Sequence, residues 1–369
     1  MTAGSGAHLR VAVDGRSLGD GSQTRGAGVY LKRVLAGLAG ATGVTPVVIA
    51  DSASPVPAGV HHQPLRTVSS PTRLQGLARD MAVPRAMAAA EADVWFSPGQ
   101  HPPRRSTAPL VQTLMDVIPL EHPHPSMRRD RWRWRLFAPR FRRADRVVAI
   151  SRHSAEAGVR HLGLDPSRVV VVHLAADETF RPATVPVQRP EPPYLLFVGA
   201  WGPHKGFAEA CAVVSALAEA GLPHRLRLVG PGDHRMRAHI AEVVAASSRP
   251  ERIAQVGYAE DLVAEYQGAD ALLVTSRSEG FCLPAVEAMA CGTPVVAFAN
   301  SALPEVIDGG GALVADGDVT AMVAAVRALA TSPGARAEAS ERAVARAAAF
   351  DWARTVASHL DILRDAAGR

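Results

Sequence analysis

"ALLVTSRSEGFCLPAVEAMACGTPVVAF", Ala271 to Phe298, decides the fold. Two short apolar runs, 271–275 and 294–298, bracket a segment with helical spacing. A strand, a helix and a second strand within 28 residues is the unit of a parallel α/β sheet. The helix is expected to begin near Leu283, with Pro284 in its first turn, where a missing amide costs little. Gly292 then closes it as the residue just past the helix. Glu279 therefore falls in the strand-to-helix loop, and Glu287 one turn inside the helix among apolar neighbours. A carboxylate is rarely left in such packing without a partner. Four helical residues rise only about 6 Å, so the two carboxylates can address one ligand at different depths. Between them the amides of Gly280, Phe281, Cys282 and Leu283 point out of a helix N-terminus, an arrangement that binds anions. Hydroxyl, diphosphate, hydroxyl is the order of groups along a sugar nucleotide.

The alternation continues on both sides. Expected strands in the first half are 9–14, 46–50, 93–97, 109–115, 146–150 and 168–172. In the second half they are 194–199, 225–230, 252–257, 271–275, 294–298 and 312–315, with helices between, such as Ala208–Ala220 and Thr320–Ala330. "RPATVPVQRPEPP" (181–193) holds five prolines and reads as a linker. This divides the chain into a first Rossmann-like domain (1–180), a second (194–349) and a final helix (350–369) that packs back on the first. Open sheets of this kind bind ligands at the carboxyl ends of their strands, and the two domains are expected to face each other across a cleft. "HHQP" (61–64) and "EHPHP" read as loops.

Composition sets the bounds. A chain of 369 residues with 47% hydrophobic and 20% charged residues is that of a globular protein. Cys211, Cys282 and Cys291 are odd in number and lack zinc-ligand spacing, which fits a reducing cytoplasm. The N-terminus lacks the apolar core of a signal peptide, and no run is long enough to span a membrane. Net charge is +5, and nine arginines lie between Arg128 and Arg146. Trp134, Phe137, Ala138 and Phe141 there follow helical core spacing. One reading is thus an amphipathic helix. The other is a basic face for an anionic lipid or polyanion, with peripheral attachment at the inner membrane face. Nothing points to nucleic acid. "DGD" (316–318) imitates a metal-binding pair, but Asp318 precedes a helix and reads as its N-cap.

"EGFCLPAVEAMACGTPVV", with seven residues between Glu279 and Glu287, resembles the paired-glutamate motif of glycosyltransferase family 4. "YLLFVGAWGPHKG" (194–206), "VGYAEDLVAEYQGAD" (256–270) and "SALPEVI" (301–307) resemble further segments of that family. In the first half, "VDGRSLGDGSQTRGAGVYLKRVL" resembles its glycine loop. The resemblance implies a GT-B fold and a retaining enzyme that takes its sugar from a nucleotide diphosphate, with no obligatory metal. It implies that Glu287 binds the ribose hydroxyls, that Glu279 binds the donor sugar and that Lys205 meets the diphosphate. Gly199 lies at the start of the lysine loop, Tyr258 near the base, and Gly26 and Gly28 where backbone approaches the sugar phosphate. Asp116, in "TLMDVIPLEHP", joins Glu279 and Lys205 as a catalytic candidate. The acceptor is a hydroxyl on a glycan, a lipid-linked glycan or a natural product, and its binding residues are not assigned.

Two positions depart from the family pattern. Ala200 and His204 stand where many relatives carry an arginine that helps hold phosphate, leaving Arg277 as a candidate substitute. Met115 stands where a histidine commonly precedes the aspartate. The branch resembled transfers mannose or rhamnose, which favours GDP-mannose as donor. Rival readings are a nucleotide-sugar 2-epimerase of related fold and a non-catalytic nucleotide-sugar-binding module.

Overall fold

The computed structural model describes residues 8–19, 26–52, 54–65, 75–185, 187, 190–200, 202–230 and 234–369. They form two compact units, one spanning Met1–Leu174 and Trp352–Arg369, the other Ala175–Asp351.

The first unit holds β1 (Leu9–Asp14), β2 (Val44–Ala50), β3 (His61–Pro64), β4 (Val94–Ser97), β5 (Leu110–Leu114), β6 (Arg146–Ala149) and β7 (Val169–Val171). They make a parallel sheet in the order β3-β2-β1-β4-β5-β6-β7. Central strands such as β4 and β5 are buried along their whole length, which is why apolar residues follow one another in them, as in Val94–Phe96 and Leu110–Val111, rather than alternating with exposed ones. The twelve expected strands all occur, with ends shifted by at most two residues. The exception is β3, read from its sequence as a loop. It pairs in register with β2, His61 with Val47 through Pro64 with Ala50. An exposed edge strand needs no apolar face, and a proline at its end removes no buried ladder bond.

The arginine-rich segment is a helix, Arg128–Phe141, whose Trp134 and Phe141 are buried in the first unit's core with Phe137 and Ala138 packed alongside.

The last helix, Trp352–Ala366, belongs to the first unit. It lies so close to the helix Gly26–Gly40 that a Cβ on Gly37 would sit 2.4 Å from a Val356 methyl. A buried polar chain pins the pair: Tyr30 Oη lies 2.9 Å from Thr113 Oγ1 and 2.6 Å from His359 Nε2, while His359 Nδ1 donates to the Thr355 carbonyl at 2.7 Å. The residue entering the second unit comes earlier than the proline-rich stretch. Residues 175–180 pack there, Phe180 setting its ring edge against Tyr266 at 5.7 Å.

The second unit holds β8 (Tyr194–Val198), β9 (Arg225–Val229), β10 (Ile253–Gly257), β11 (Ala271–Val274), β12 (Val295–Phe298) and β13 (Gly311–Val314). These are parallel in the order β10-β9-β8-β11-β12-β13. The chain therefore builds outward from β8 in one direction, then returns and builds the other way from β11. That reversal leaves a crevice at the carboxyl ends of β8 and β11, the place where open α/β sheets take their ligands.

Burial pushes the His359 imidazole down to about 4. The unfolded chain, at about 6.5, then binds more protons than the folded one between those values. Stability is expected to fall as the pH drops from about 6.5 to about 4, by up to about 3 kcal/mol. Thermal unfolding across that range checks this: the slope should flatten in His359→Phe, and an unchanged slope would contradict it.

Candidate functional site

Lys205 and Glu279 come from the two loops that border the crevice. Lys205 follows β8, and the next residue, Gly206, has φ 68° and starts the helix Phe207–Glu219. A Cβ there would stand 2.0 Å from the Thr275 carbonyl oxygen, so only glycine fits. Thr275, at the end of β11, donates its hydroxyl to the carbonyls of Gly206 (2.7 Å) and Lys205 (3.1 Å). The Arg277 amide donates to the His204 carbonyl at 2.7 Å. The two loops are thus sewn together before any side chain is considered.

On that base the Lys205 Nζ meets Glu279 Oε1 at 2.6 Å, with side chains only 13% and 9% exposed. Burial works against ionising Glu279, but the charge and hydrogen bond of Lys205, together with the Ser276 hydroxyl, outweigh it and hold the carboxyl below its ordinary range. The Glu279 amide donates to Ser301 Oγ at 2.9 Å, which fixes the loop from its far side. Gly199 opens the lysine loop, where a Cβ would stand 3.7 Å from Lys205 Nζ.

Gly280 and Phe281 lead to Cys282, which caps the helix Leu283–Ala290 with φ 75° and ψ 64°. A non-glycine residue in that region costs on the order of 1–3 kcal/mol, strain that concentrates at functional sites. Its thiol is pushed up by burial first and by Glu279 second, with Lys205 opposing and Glu287 adding, so all three charged groups reach this point. Glu287 is only partly buried by surface area, yet protein crowds its carboxyl closely enough that burial raises it to about 7, against a hydrogen bond from Tyr266 that lowers it. Tyr266 Oη donates to Glu287 Oε2 at 2.8 Å.

The structure therefore gathers Lys205, Gly199, Glu279, the Gly280–Leu283 amides and Glu287 around one end of the second sheet. Tyr258 is placed apart, 75% exposed after β10, two strands from β8. Gly26, Gly28 and Asp116 belong to the first unit. Gly26 starts the helix Gly26–Gly40 and Gly28 is buried in its first turn; the loop before them, 20–25, lies outside the described residues. Asp116 follows β5, accepting from Gln100 Nε2 (2.9 Å) and from the Ile118 amide (3.1 Å). Arg277, the candidate substitute for the phosphate arginine, has its guanidinium bound to Glu209 and 3.9 Å from Asp316. Asp318 caps the helix Val319–Thr331, accepting from the Ala321 amide at 2.8 Å. Among the described residues no group of three His, Cys, Asp or Glu is arranged to hold a metal ion. Tyr266, Thr275 and Ser301 were not singled out from the sequence; they act by orienting other residues, and such roles leave no motif.

Two family models match, "Glycosyltransferase Family 4" over residues 24–180 and "Glycosyl transferases group 1" over residues 192–332. D-inositol 3-phosphate glycosyltransferase 2 of Catenulispora acidiphila is 35% identical over 244 residues, 59% of this chain and 56% of its own. The D-inositol 3-phosphate glycosyltransferase of Mycobacterium marinum is 34% identical over 241 residues, 61% of this chain and 51% of its own. The chain spans about half the length of these curated relatives. Among solved structures, sucrose-phosphate synthase from Thermosynechococcus elongatus superposes with a TM-score of 0.79 at 20% identity, covering 97% of this chain and 98% of that one. Anabaena HepE, in complex with UDP and glucose, gives 0.75 at 18% identity, covering 97% and 100%. The fold and the two models, one on each half, agree, and the chain belongs to the GT-B glycosyltransferases of the family 4/group 1 type.

Proposed function

We propose that this protein transfers a sugar, with retention of configuration, from a nucleotide diphosphate donor to a hydroxyl acceptor. The observation that carries this is the Lys205–Glu279 pair at the strand-order reversal, beside a helix N-terminus. Lys205 and the Gly280–Leu283 amides receive the diphosphate and stabilise charge as it departs. Such preorganised electrostatics is worth most in a site sheltered from water. Glu279 lies beside the sugar ring, where positive charge develops as the bond to phosphate breaks. Glu287 takes the ribose hydroxyls. Because Lys205 and the amides supply the counter-charge, no divalent ion is required.

The resemblance to mannosyl- and rhamnosyl-transferring relatives favours GDP-mannose. The complexes of HepE with UDP and UDP-glucose are the reason to test UDP-sugars beside it. The curated relatives named for D-inositol 3-phosphate make a phosphorylated polyol the first acceptor to try.

Donor consumption with and without acceptor, in the presence of EDTA, tests the reading. Transfer should need an acceptor and survive chelation. Acceptor-independent conversion would mean an epimerase, and donor binding without turnover a non-catalytic module. Lys205→Ala should cost roughly 1.5–3 kcal/mol in donor binding or barrier. Glu279→Gln should lower kcat, whereas Glu287→Ala should raise the donor KM with little change in kcat. The same pure KM effect in both would reduce Glu279 to a binding residue.

The helix Arg128–Phe141 supports a peripheral contact with anionic lipid. Its outer face presents Trp132 at 59% and Leu136 at 47% exposure, one turn apart, beside exposed Arg128, Arg129 and Arg135. Arg133, by contrast, is engaged with Asp130 and His101. No helix among the described residues is long and apolar enough to cross a membrane. Each arginine near an anionic surface contributes about 1 kcal/mol. Cosedimentation with phosphatidylglycerol vesicles, and not with phosphatidylcholine, is expected, weakened by Trp132→Ala and by Arg129→Glu with Arg135→Glu. Equal partition to both vesicles, or to neither, would remove this contact.

A further inference from the structure

We propose that Tyr266 is the positioning residue for Glu287: its hydroxyl holds one carboxyl oxygen and turns the other toward the donor's hydroxyls. This rests on the donor-binding reading of Glu287 given above.

Tyr266 lies in the helix Leu262–Gly268 and is fully buried. It is held at both ends. Its carbonyl accepts from Thr293 Oγ1 at 2.6 Å and from the Ala269 amide at 3.1 Å. Its ring meets the Phe180 ring edge-on, 5.7 Å between centroids at 74°. The hydroxyl is thereby delivered to Glu287 Oε2 at 2.8 Å from a frame with little freedom. Glu287 itself is rooted between buried Val286 and Ala288. A carboxylate that receives two vicinal hydroxyls must present its free oxygen at a fixed angle, and a single rigid donor on the other oxygen sets that angle.

The other titratable groups near Glu287 are neutral or paired elsewhere. The thiols of Cys282 and Cys291, at the two ends of the same helix, are both pushed up by burial and stay protonated. The strands beneath, β11 and β12, carry no titratable side chain. On the neighbouring helix Pro333–Ala347, Arg336 pairs with Asp270, Arg342 with Glu338 and Arg346 with Asp308. The phenol is then what favours the charged form of a carboxyl that burial raises to about 7.

Tyr266→Phe removes the oxygen and keeps the ring. It is to be compared with Glu287→Gln and with the double variant, in two readouts. The first is thermal stability against pH. A carboxyl raised above its ordinary range lets the folded chain hold more protons than the unfolded one. Stability therefore falls as pH rises from about 4.5 to about 7. Tyr266→Phe should steepen that fall, and in the Glu287→Gln background it should have no pH-dependent effect. The second readout is donor kinetics: KM should rise ~3- to 10-fold with kcat little changed, and the acid limb of the KM profile should move to higher pH. Glu287→Gln raising KM while Tyr266→Phe leaves KM and its pH profile untouched would overturn the positioning role alone. Neither variant changing KM, with the stability coupling intact, would instead overturn the donor reading of Glu287 and the proposal with it.

Discussion

Lys205 and Glu279 are 74 residues apart in sequence and 2.6 Å apart in space. Neither charge is well exposed, and a buried pair of this kind is costly to break by removing one partner. The second unit depends on it: the pair lies where strand order reverses, and the backbone of both loops is arranged to deliver it. Thr275 fastens the lysine loop, Gly206 permits the close approach, and Ser301 holds the Glu279 amide. A diphosphate arriving at the Gly280–Leu283 amides meets a lysine whose charge is already shared. In the proposed reaction the donor therefore trades one anionic partner of Lys205 for another. Little reorganisation is needed, which is the condition under which fixed charges aid a reaction most.

The two glutamates of the motif live in different electrostatic surroundings although a single helical turn and a short loop separate them. Glu279 has a cation against it and stays ionised in spite of burial. Glu287 has only a phenol, and burial dominates. One helix N-terminus thus carries a permanently charged carboxylate at its mouth and a titratable one deeper in.

Much of this was legible in the sequence, for physical reasons. Strands buried on both faces are mostly apolar, so the alternation with helices could be read directly, as could the cap at Asp318, the proline in the first turn at Pro284 and the core face of Trp134 and Phe141. The edge strand His61–Pro64 could not, because its pairing is made by backbone and most of its side chains are exposed. The paired-glutamate motif and the lysine loop led to Glu279, Glu287 and Lys205 as ligand contacts, but not to the direct contact between two of them. The role of Tyr266 could not be read, because a tyrosine within an apolar helix gives no sign of where its hydroxyl ends. Arg277 was a candidate for the phosphate from its place in the chain, and its pairing with Glu209 had no sequence signal.

The most direct test of the account is calorimetric titration of nucleoside diphosphates, GDP and UDP among them, into the wild-type protein, Glu279→Gln and Lys205→Ala. If Lys205 is the diphosphate's partner and Glu279 shares its charge, Glu279→Gln should bind the nucleotide at least about threefold more tightly. Lys205→Ala should bind it more weakly, and the double variant should show no gain over Lys205→Ala. Unchanged or weaker binding in Glu279→Gln, with Lys205→Ala indistinguishable from wild type, would contradict it.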